Sequence, residues 1–239
     1  MTGTSSATQE VPALAESQPR DRAEDPFALP RRYATFGIRA QLALKRCLDI
    51  AGAALGLALL GPILAGIAIA IRLRSGGPIL YRWRVVGLRG RNFTGYKFRT
   101  MVPEAEARRH GLESRNEMTG PVFKMRDDPR VTGIGRLLRR FSLDELPQLW
   151  SVLKGDMSLV GPRPPLQTEW EKFEPWQRRK LAVKPGITCL WQVSGRSDIR
   201  DFSEWVRLDI EYIERWTTWL DLKILLATGA AVVRSKGAY

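Results

Sequence analysis

The longest feature of the hydropathy pattern is an uncharged run from Ile50 to Ile71, about twenty-two residues with Gly61-Pro62 near its middle. Such a run is long enough to cross a bilayer. Proline removes a backbone hydrogen bond and kinks or breaks a helix. Both flanks are basic, with Lys45 and Arg46 before the run and Arg72 and Arg74 after it. Positive-inside logic places both flanks on the cytoplasmic side. A helix over 47–73, broken at Gly61-Pro62, that dips into the membrane and returns satisfies both features. Each leg of about eleven residues reaches only roughly 16 Å at 1.5 Å per residue, so neither leg crosses alone. A spanning helix with a proline kink is the alternative. Asp49 lies just outside the run, placed to pair with Lys45 or Arg46.

Elsewhere the pattern is shorter in period. Ile79 to Val86 and Phe93 to Phe98 read as two strands of a hairpin joined by a Gly-rich turn. A polar helical stretch is expected from about Pro103 to Arg115, a turn at Asp127-Asp128-Pro129-Arg130, and a helix from Val131 to Arg140. Met157 to Val160 reads as a short buried strand after a Gly155-Asp156 turn. Glu169 to Leu181 reads as a charged amphipathic helix, and Lys184 to Thr188 as a turn and short strand. Asp201 to Trp216 is helical, with Trp205, Leu208, Tyr212 and Ile213 on one face. The apolar stretch from Trp216 to Val233 carries Trp216, Trp219 and Lys223, which suits a helix at a membrane interface as well as one in a core. Residues 1–30 have no apolar periodicity and read as a disordered tail. No apolar segment of signal-peptide type follows Met1. The chain therefore divides into a tail (1–30), membrane-associated helices (31–74) and a catalytic domain (75–239). The expected fold is mixed α/β and helix-rich, a re-entrant helical hairpin beside a small domain with a short β-hairpin and interfacial helices.

Candidate chemistry centres on Asp144-Glu145. Two arginines, Arg139 and Arg140, precede the pair, and Leu143, Leu146, Leu149 and Trp150 give it an apolar face. Ser142 is placed to N-cap a helix, with Glu145 three residues on as in a capping box. Carboxylates in a helix first turn stay ionised, as a nucleophile or metal ligand must. The plainer reading is that the pair only caps the helix. Arg163 stands between Pro162 and Pro164, which fix its backbone and pre-aim its guanidinium, a good arrangement for phosphate.

Charge sharpens the picture. A formal net charge of +13 implies an anionic partner: nucleic acid, anionic lipid or a phosphorylated substrate. No nucleic-acid motif is present. The single histidine, His110, and the two cysteines, Cys47 and Cys189, argue against a histidine triad, a zinc site or a disulfide framework.

Several stretches together resemble the bacterial sugar transferases, polyprenyl-phosphate hexose-1-phosphate transferases also called monotopic phosphoglycosyl transferases. They are Lys45-Arg46-Cys47-Leu48-Asp49, Ser75-Gly76-Gly77-Pro78-Ile79, Lys97-Phe98-Arg99-Thr100-Met101, Ser142 to Gln148, Lys154 to Pro164, Lys184 to Thr188, Ser194-Gly195-Arg196 and Gly237-Ala238-Tyr239. The run from Lys154 to Pro164 is the most specific, and the whole resemblance covers about 42–239. Cys189 departs from it, standing where the family usually has Gly. Some relatives carry further N-terminal spans, where this sequence has its polar tail.

The resemblance implies transfer of sugar-1-phosphate from a nucleotide sugar, with UDP expected, to undecaprenyl phosphate, releasing the nucleoside monophosphate. It implies Asp144 as nucleophile, an aspartyl-phosphosugar intermediate, and Mg2+ held by Asp144 or Glu145. Arg139, Arg163 and Arg196 are the expected phosphate clamps, with Lys97, Arg99 and Asp209 in the substrate-binding set, while Asp156 reads as a turn residue. It favours the re-entrant helix over the spanning one, and a bacterial inner membrane with the catalytic domain on the cytoplasmic face against anionic lipid. The sugar, the pathway served and a homodimer are left open. The competing reading is a non-catalytic basic membrane protein, a binding module or scaffold.

Overall fold

The computed structural model describes residues 25–195 and 199–234. Arg196 and the terminal Gly237-Ala238-Tyr239 lie outside the described residues. A helical turn at Arg31–Ala34 leads into α1, Phe36–Ser75. β1 (Leu80–Val86) and β2 (Asn92–Phe98) form an antiparallel hairpin, registered from Leu80 opposite Phe98 to Val86 opposite Asn92. There follow α2 (Gly133–Arg140), a 3-10 helix at Leu143–Gln148, α3 (Leu149–Lys154) and β3 (Ser158–Val160). α4 (Gln167–Trp170) and α5 (Pro175–Arg178) precede β4 (Gly186–Thr188), which pairs parallel with β3. The chain ends in α6 (Leu190–Val193), α7 (Phe202–Arg215) and α8 (Thr218–Arg234). This is the helix-rich α/β arrangement that the sequence predicts.

α1 is one helical element that runs through Pro62, so the expected break at Gly61-Pro62 is not an interruption of the helix. A single proline deletes one backbone bond, and the Ala-, Leu- and Ile-rich turns on either side sustain the helix around it. One stripe of α1 faces the protein: Ala53 and Leu57 pack with Leu149, Val152 and Met157, while Leu64, Ile67 and Ile71 pack with Phe98 and Leu138. The opposite stripe is bare, with Leu55, Leu59, Ile63, Ile69 and Leu73 half or more exposed. α1 is the one helix among the described residues long and apolar enough to cross a membrane.

Both flanks of that apolar run are fastened to the same folded unit. Arg46 donates to the carbonyls of Val152 and Leu153 at 2.7 and 2.9 Å, satisfying the open end of α3. Lys45 pairs with Asp221 of α8 at 2.6 Å. Asp49 does not pair with Lys45 or Arg46 as expected. It accepts from Ser158 Oγ at 3.0 Å and from the Leu159 N–H at 2.9 Å, tying α1 to β3. At the far end, the Arg99 guanidinium donates to the Ser75 carbonyl at 3.1 Å and to Ser75 Oγ at 2.9 Å.

Other boundaries move for local reasons. Residues 25–30, expected in the disordered tail, are packed: Phe27 stacks on Trp170 with ring centroids 6.3 Å apart, and Leu29 joins the core around Tyr33 and Trp216. The stretch 103–115 is turns and one 3-10 helix, His110–Arg115, because it has no apolar face to bury. The helix expected over 169–181 is divided, since Pro175 begins a new helix at its first turn. α7 buries the face expected of it, and Trp205 stacks on Trp191 at 4.1 Å beside buried Cys189. α8 buries Ile224 in the core as one of its two expected roles requires, while Trp219 and Leu226 stay exposed.

Candidate active site

Asp144 is positioned by α2 and by the turn that ends it. Thr132 caps α2, its Oγ1 accepting from the Gly135 N–H at 3.0 Å. The Thr132 N–H donates to the Thr100 carbonyl at 2.9 Å, and Gly135 packs directly on that carbonyl, where a Cβ would collide. α2 is thereby pressed against the end of β2, and Arg139 comes to donate from Nε to Thr100 Oγ1 at 3.0 Å.

The capping box expected at Ser142 does not form. Ser142 is left-handed, with φ of 54°, and makes no side-chain cap bond; its carbonyl accepts from the Glu145 N–H at 3.2 Å instead. The acidic pair therefore sits on a 3-10 turn rather than the first turn of an α-helix, and Leu149 starts α3 only afterwards. The sharp reversal aims Asp144 back toward Arg139. Asp144 is buried, and its charge opposes the burial that pushes the Arg139 guanidinium below its ordinary range.

Glu145 pairs with Lys97 of β2 at 2.7 Å, both side chains less than a fifth exposed. The same ammonium lies 4.6 Å from the Trp83 ring centroid, a cation–π contact across the hairpin. Arg163 is carried by the 161–164 loop, which is stitched to β4: the Gly161 N–H donates to the Thr188 carbonyl at 3.0 Å and the Gly186 N–H to the Pro162 carbonyl at 2.9 Å. Gly161 and Gly186 abut so closely that a Cβ on either would strike the other's backbone.

Lys97, Arg99, Arg139, Asp144, Glu145 and Arg163 all line one cleft of about 920 Å³, in which cations outnumber carboxylates. Six of the eight expected site residues are thus brought together. Arg196 lies outside the described residues. Asp209 is the exception: it is fully buried in α7, outside the cleft wall, with the Lys180 ammonium 2.6 Å from its Oδ2. Its nearness to Arg163 makes it a support behind the cleft rather than a contact in it. Asp156 pairs with Lys154 at 2.8 Å beyond α3, as a turn residue.

Sequence reasoning passed over Asp128 and Arg130, which it read only as a turn. Both line the cleft, and the Arg130 guanidinium grips Asp128 through Nε at 2.9 Å and Nη2 at 2.7 Å. Burial raises the Asp128 carboxyl, but the Arg130 hydrogen bonds outweigh it and hold it below the usual carboxylate range. The Asp-Asp-Pro-Arg spacing was the available signal, since an Asx turn brings such an Arg onto its own Asp.

The family model for bacterial sugar transferases matches residues 40–235. A galactosyl transferase, CpsE, of Streptococcus agalactiae is 49% identical over 83% of this chain and 44% of its own length. An undecaprenyl-phosphate galactose phosphotransferase of Salmonella typhimurium is 42% identical over 84% of this chain and 43% of its own. The chain thus spans less than half the length of these two relatives. The exopolysaccharide production protein ExoY of Rhizobium meliloti is 35% identical over 91% of this chain and 97% of its own length. A family model that matches most of the chain, with relatives of 35% identity and above, shows that the chain belongs to the bacterial sugar transferase family.

Proposed function

We propose that the protein transfers sugar-1-phosphate from a UDP-sugar to undecaprenyl phosphate and releases UMP, an early membrane step of polysaccharide assembly. The observation that carries this reading is the buried Asp144, in a cleft lined by more cations than carboxylates and with its charge felt by Arg139. A carboxylate in that setting is desolvated and shares its cleft with phosphate-binding groups, which suits a nucleophile toward phosphorus. An Asp144 carboxylate oxygen attacks the sugar-bound phosphorus, and the bond from that phosphorus to the bridging oxygen breaks, releasing UMP. A phosphate oxygen of the lipid then attacks the same phosphorus, the bond to Asp144 breaks, and the carboxylate is regenerated. Arg139 and Arg163 neutralise phosphate charge, and Lys97 fixes Glu145.

Mg2+ fits this donor set. Among the described residues no cluster of three metal-binding side chains exists. Magnesium is commonly held by one or two carboxylates with substrate phosphates completing the octahedron, and Asp144 and Glu145 supply such carboxylates. When bound, the ion would offset phosphate charge, with Asp144 and Glu145 the residues that would hold it.

The fastening of both ends of α1 to one domain supports a helix that keeps both ends on one membrane face over one that spans, even without the break expected at Gly61-Pro62. From Asp49 to Ser75 a straight helix extends roughly 39 Å at 1.5 Å per residue, more than the ~30 Å core of a bilayer. A helix that crossed would deliver those two residues to opposite faces, whereas both are bonded to one domain. That domain then lies on one side of the inner membrane, on its cytoplasmic face by the basic flanks, with anionic lipid against it.

The test is incubation of the detergent-solubilised protein with a panel of UDP-sugars, undecaprenyl phosphate and Mg2+. UMP release with one sugar, dependent on the lipid and lost with a chelator, is expected. Asp144→Asn should lower turnover by several orders of magnitude. Near-normal turnover in that variant refutes the nucleophile, and no release from any nucleotide sugar leaves the non-catalytic membrane protein as the better reading.

A further inference from the structure

The backbone under Arg163 is pinned one peptide at a time, and one of the pins comes from α1. A trans peptide points its carbonyl and its N–H to opposite sides, so each unit can be held from both. In the unit joining Val160 to Gly161, the Gly161 N–H donates to the Thr188 carbonyl of β4 at 3.0 Å. On its other side the Val160 carbonyl accepts from Lys45 Nζ at 2.9 Å and from the Tyr212 hydroxyl at 3.2 Å. In the unit joining Pro162 to Arg163, the Pro162 carbonyl accepts from the Gly186 N–H at 2.9 Å, and the Arg163 N–H faces the Asp209 carboxylate of α7. Pro162 and Pro164 fix their own φ, so little freedom is left before the Arg163 side chain begins.

Lys45 is itself held in place. Its ammonium lies 2.6 Å from Asp221, and the two side chains are 16% and 9% exposed. Asp221 also accepts from the Tyr212 hydroxyl at 2.7 Å and from Trp216 Nε1 at 3.1 Å. An ammonium has three donors, and two are spent on this carboxylate and on the Val160 carbonyl. The bond to Val160 falls where β3 ends and the Arg163 loop begins. The other pins named here belong to β4 and α7. Lys45 brings in α1, just before its uncharged run starts at Ile50.

We propose that Lys45 is a positioning residue for Arg163, acting through the Val160 carbonyl, and that the seating of α1 thereby sets how a phosphate-binding guanidinium enters the cleft that holds Asp144. From Val160 to Arg163 the chain can extend at most about 11 Å. Gly161 and Gly186 abut over that stretch with no room for the loop to give. A shift at Val160 is therefore passed on to Arg163 rather than absorbed. Lys45 touches no substrate itself. Its leverage comes from precision, since a misplacement of about 1 Å in a positioning group can cost on the order of a hundredfold in rate. This inference rests on the transferase reading given above, in which Arg163 neutralises phosphate charge.

The experiment is a double-mutant cycle on the full chain in nanodiscs, with kcat/KM for the UDP-sugar read from UMP release in the presence of undecaprenyl phosphate and Mg2+. Lys45→Met keeps an unbranched apolar stem and loses the ammonium, and it should lower kcat/KM about ten- to hundredfold. Arg163→Gln should lower it at least as far. The double variant should then match Arg163→Gln within about twofold, because no guanidinium is left to misplace. A purely structural role for Lys45 predicts the opposite, two losses that multiply. Multiplying losses, or an unchanged kcat/KM in Lys45→Met, overturn the inference. If Lys45→Met does not accumulate as folded protein, Tyr212→Phe takes its place in the cycle, since it removes only a hydroxyl from the same carbonyl. It should cost about three- to tenfold and be masked by Arg163→Gln in the same way, and multiplying losses there overturn the inference equally. Absence of UMP release from the unmodified protein instead overturns the transferase reading, and the inference with it.

Discussion

Replacing Asp209 by Asn should unfold the protein far more readily than any change at the cleft surface. The pair it makes with Lys180 is 2.6 Å long, and the two side chains are 0% and 4% exposed. At an effective dielectric of about 20 the gross attraction is roughly 6 kcal/mol, which offsets part of the desolvation of the two ions. The Arg163 backbone adds a second favourable contact to the carboxylate beside the Lys180 ammonium. Asn at 209 leaves the Lys180 ammonium buried without a counter-charge, a loss of about 3–5 kcal/mol from a total of about 5–15 kcal/mol. Adding Lys180→Met removes the orphaned charge and should recover most of that loss. Equilibrium unfolding in detergent, followed by tryptophan emission from the nearby Trp191–Trp205 stack, measures it. The pH dependence has a defined sign. Burial raises the Asp209 carboxyl above its ordinary value, with Lys180 opposing. Its contribution is therefore fully present below the unfolded carboxylate value and falls as pH rises through the folded one. That fall should vanish in the Asn variant. A single substitution costing under about 1 kcal/mol, or a double as unstable as the single, would refute the buried-pair argument.

Three further outcomes are expected. Asp49→Ala strands Ser158 Oγ and the Leu159 N–H and should cost about 2–3 kcal/mol, seen as faster proteolysis between α1 and the domain; unchanged proteolysis counts against this anchor. Gly135→Ala drives a methyl group into the Thr100 carbonyl, so it should displace Arg139 and cut UMP release while thermal stability falls by about 1–3 kcal/mol; full activity would show that α2 tolerates a shift. Tyr33 is pushed up to about 12 by burial, so its contribution to stability is complete below the unfolded tyrosine value near 10 and is lost as pH rises through about 12. Tyr33→Phe should flatten alkaline unfolding in that window, and an identical profile would contradict it.

What could be read in the sequence was whatever short-range pattern decides. The alternation of the hairpin and the 3.6-residue stripe of α7 set those elements with little help from elsewhere. Polar residues in the stretch 103–115 favour a helix by propensity, but without an apolar face nothing drives it onto the domain. Ser142 followed by Glu145 matches a capping box, yet a left-handed Ser142 turns the chain before an α-helix can start. The candidate site residues came from the acidic pair, the Pro-flanked Arg163 and the family resemblance, and six of them line one cleft. Their partners were not legible. Asp49 finds its donors 109 and 110 residues away, and Asp209 is matched by a lysine from a separate helical turn. Such pairings are set by the packing of whole elements and leave no local trace.

The fastening of α1 has a consequence for how the protein is made. Its anchors in β3 and α8 lie 110 and 176 residues further along the chain. At about 5–20 residues per second, the ribosome needs roughly 5 to 35 s after completing Lys45 and Asp49 to deliver those partners. Throughout that interval the exposed leucines of α1 have only lipid or a chaperone to shield them. On the membrane placement proposed above, the depth and direction of insertion are decided before Ser158, Leu159 or Asp221 exists to hold the helix, and the later residues lock that geometry.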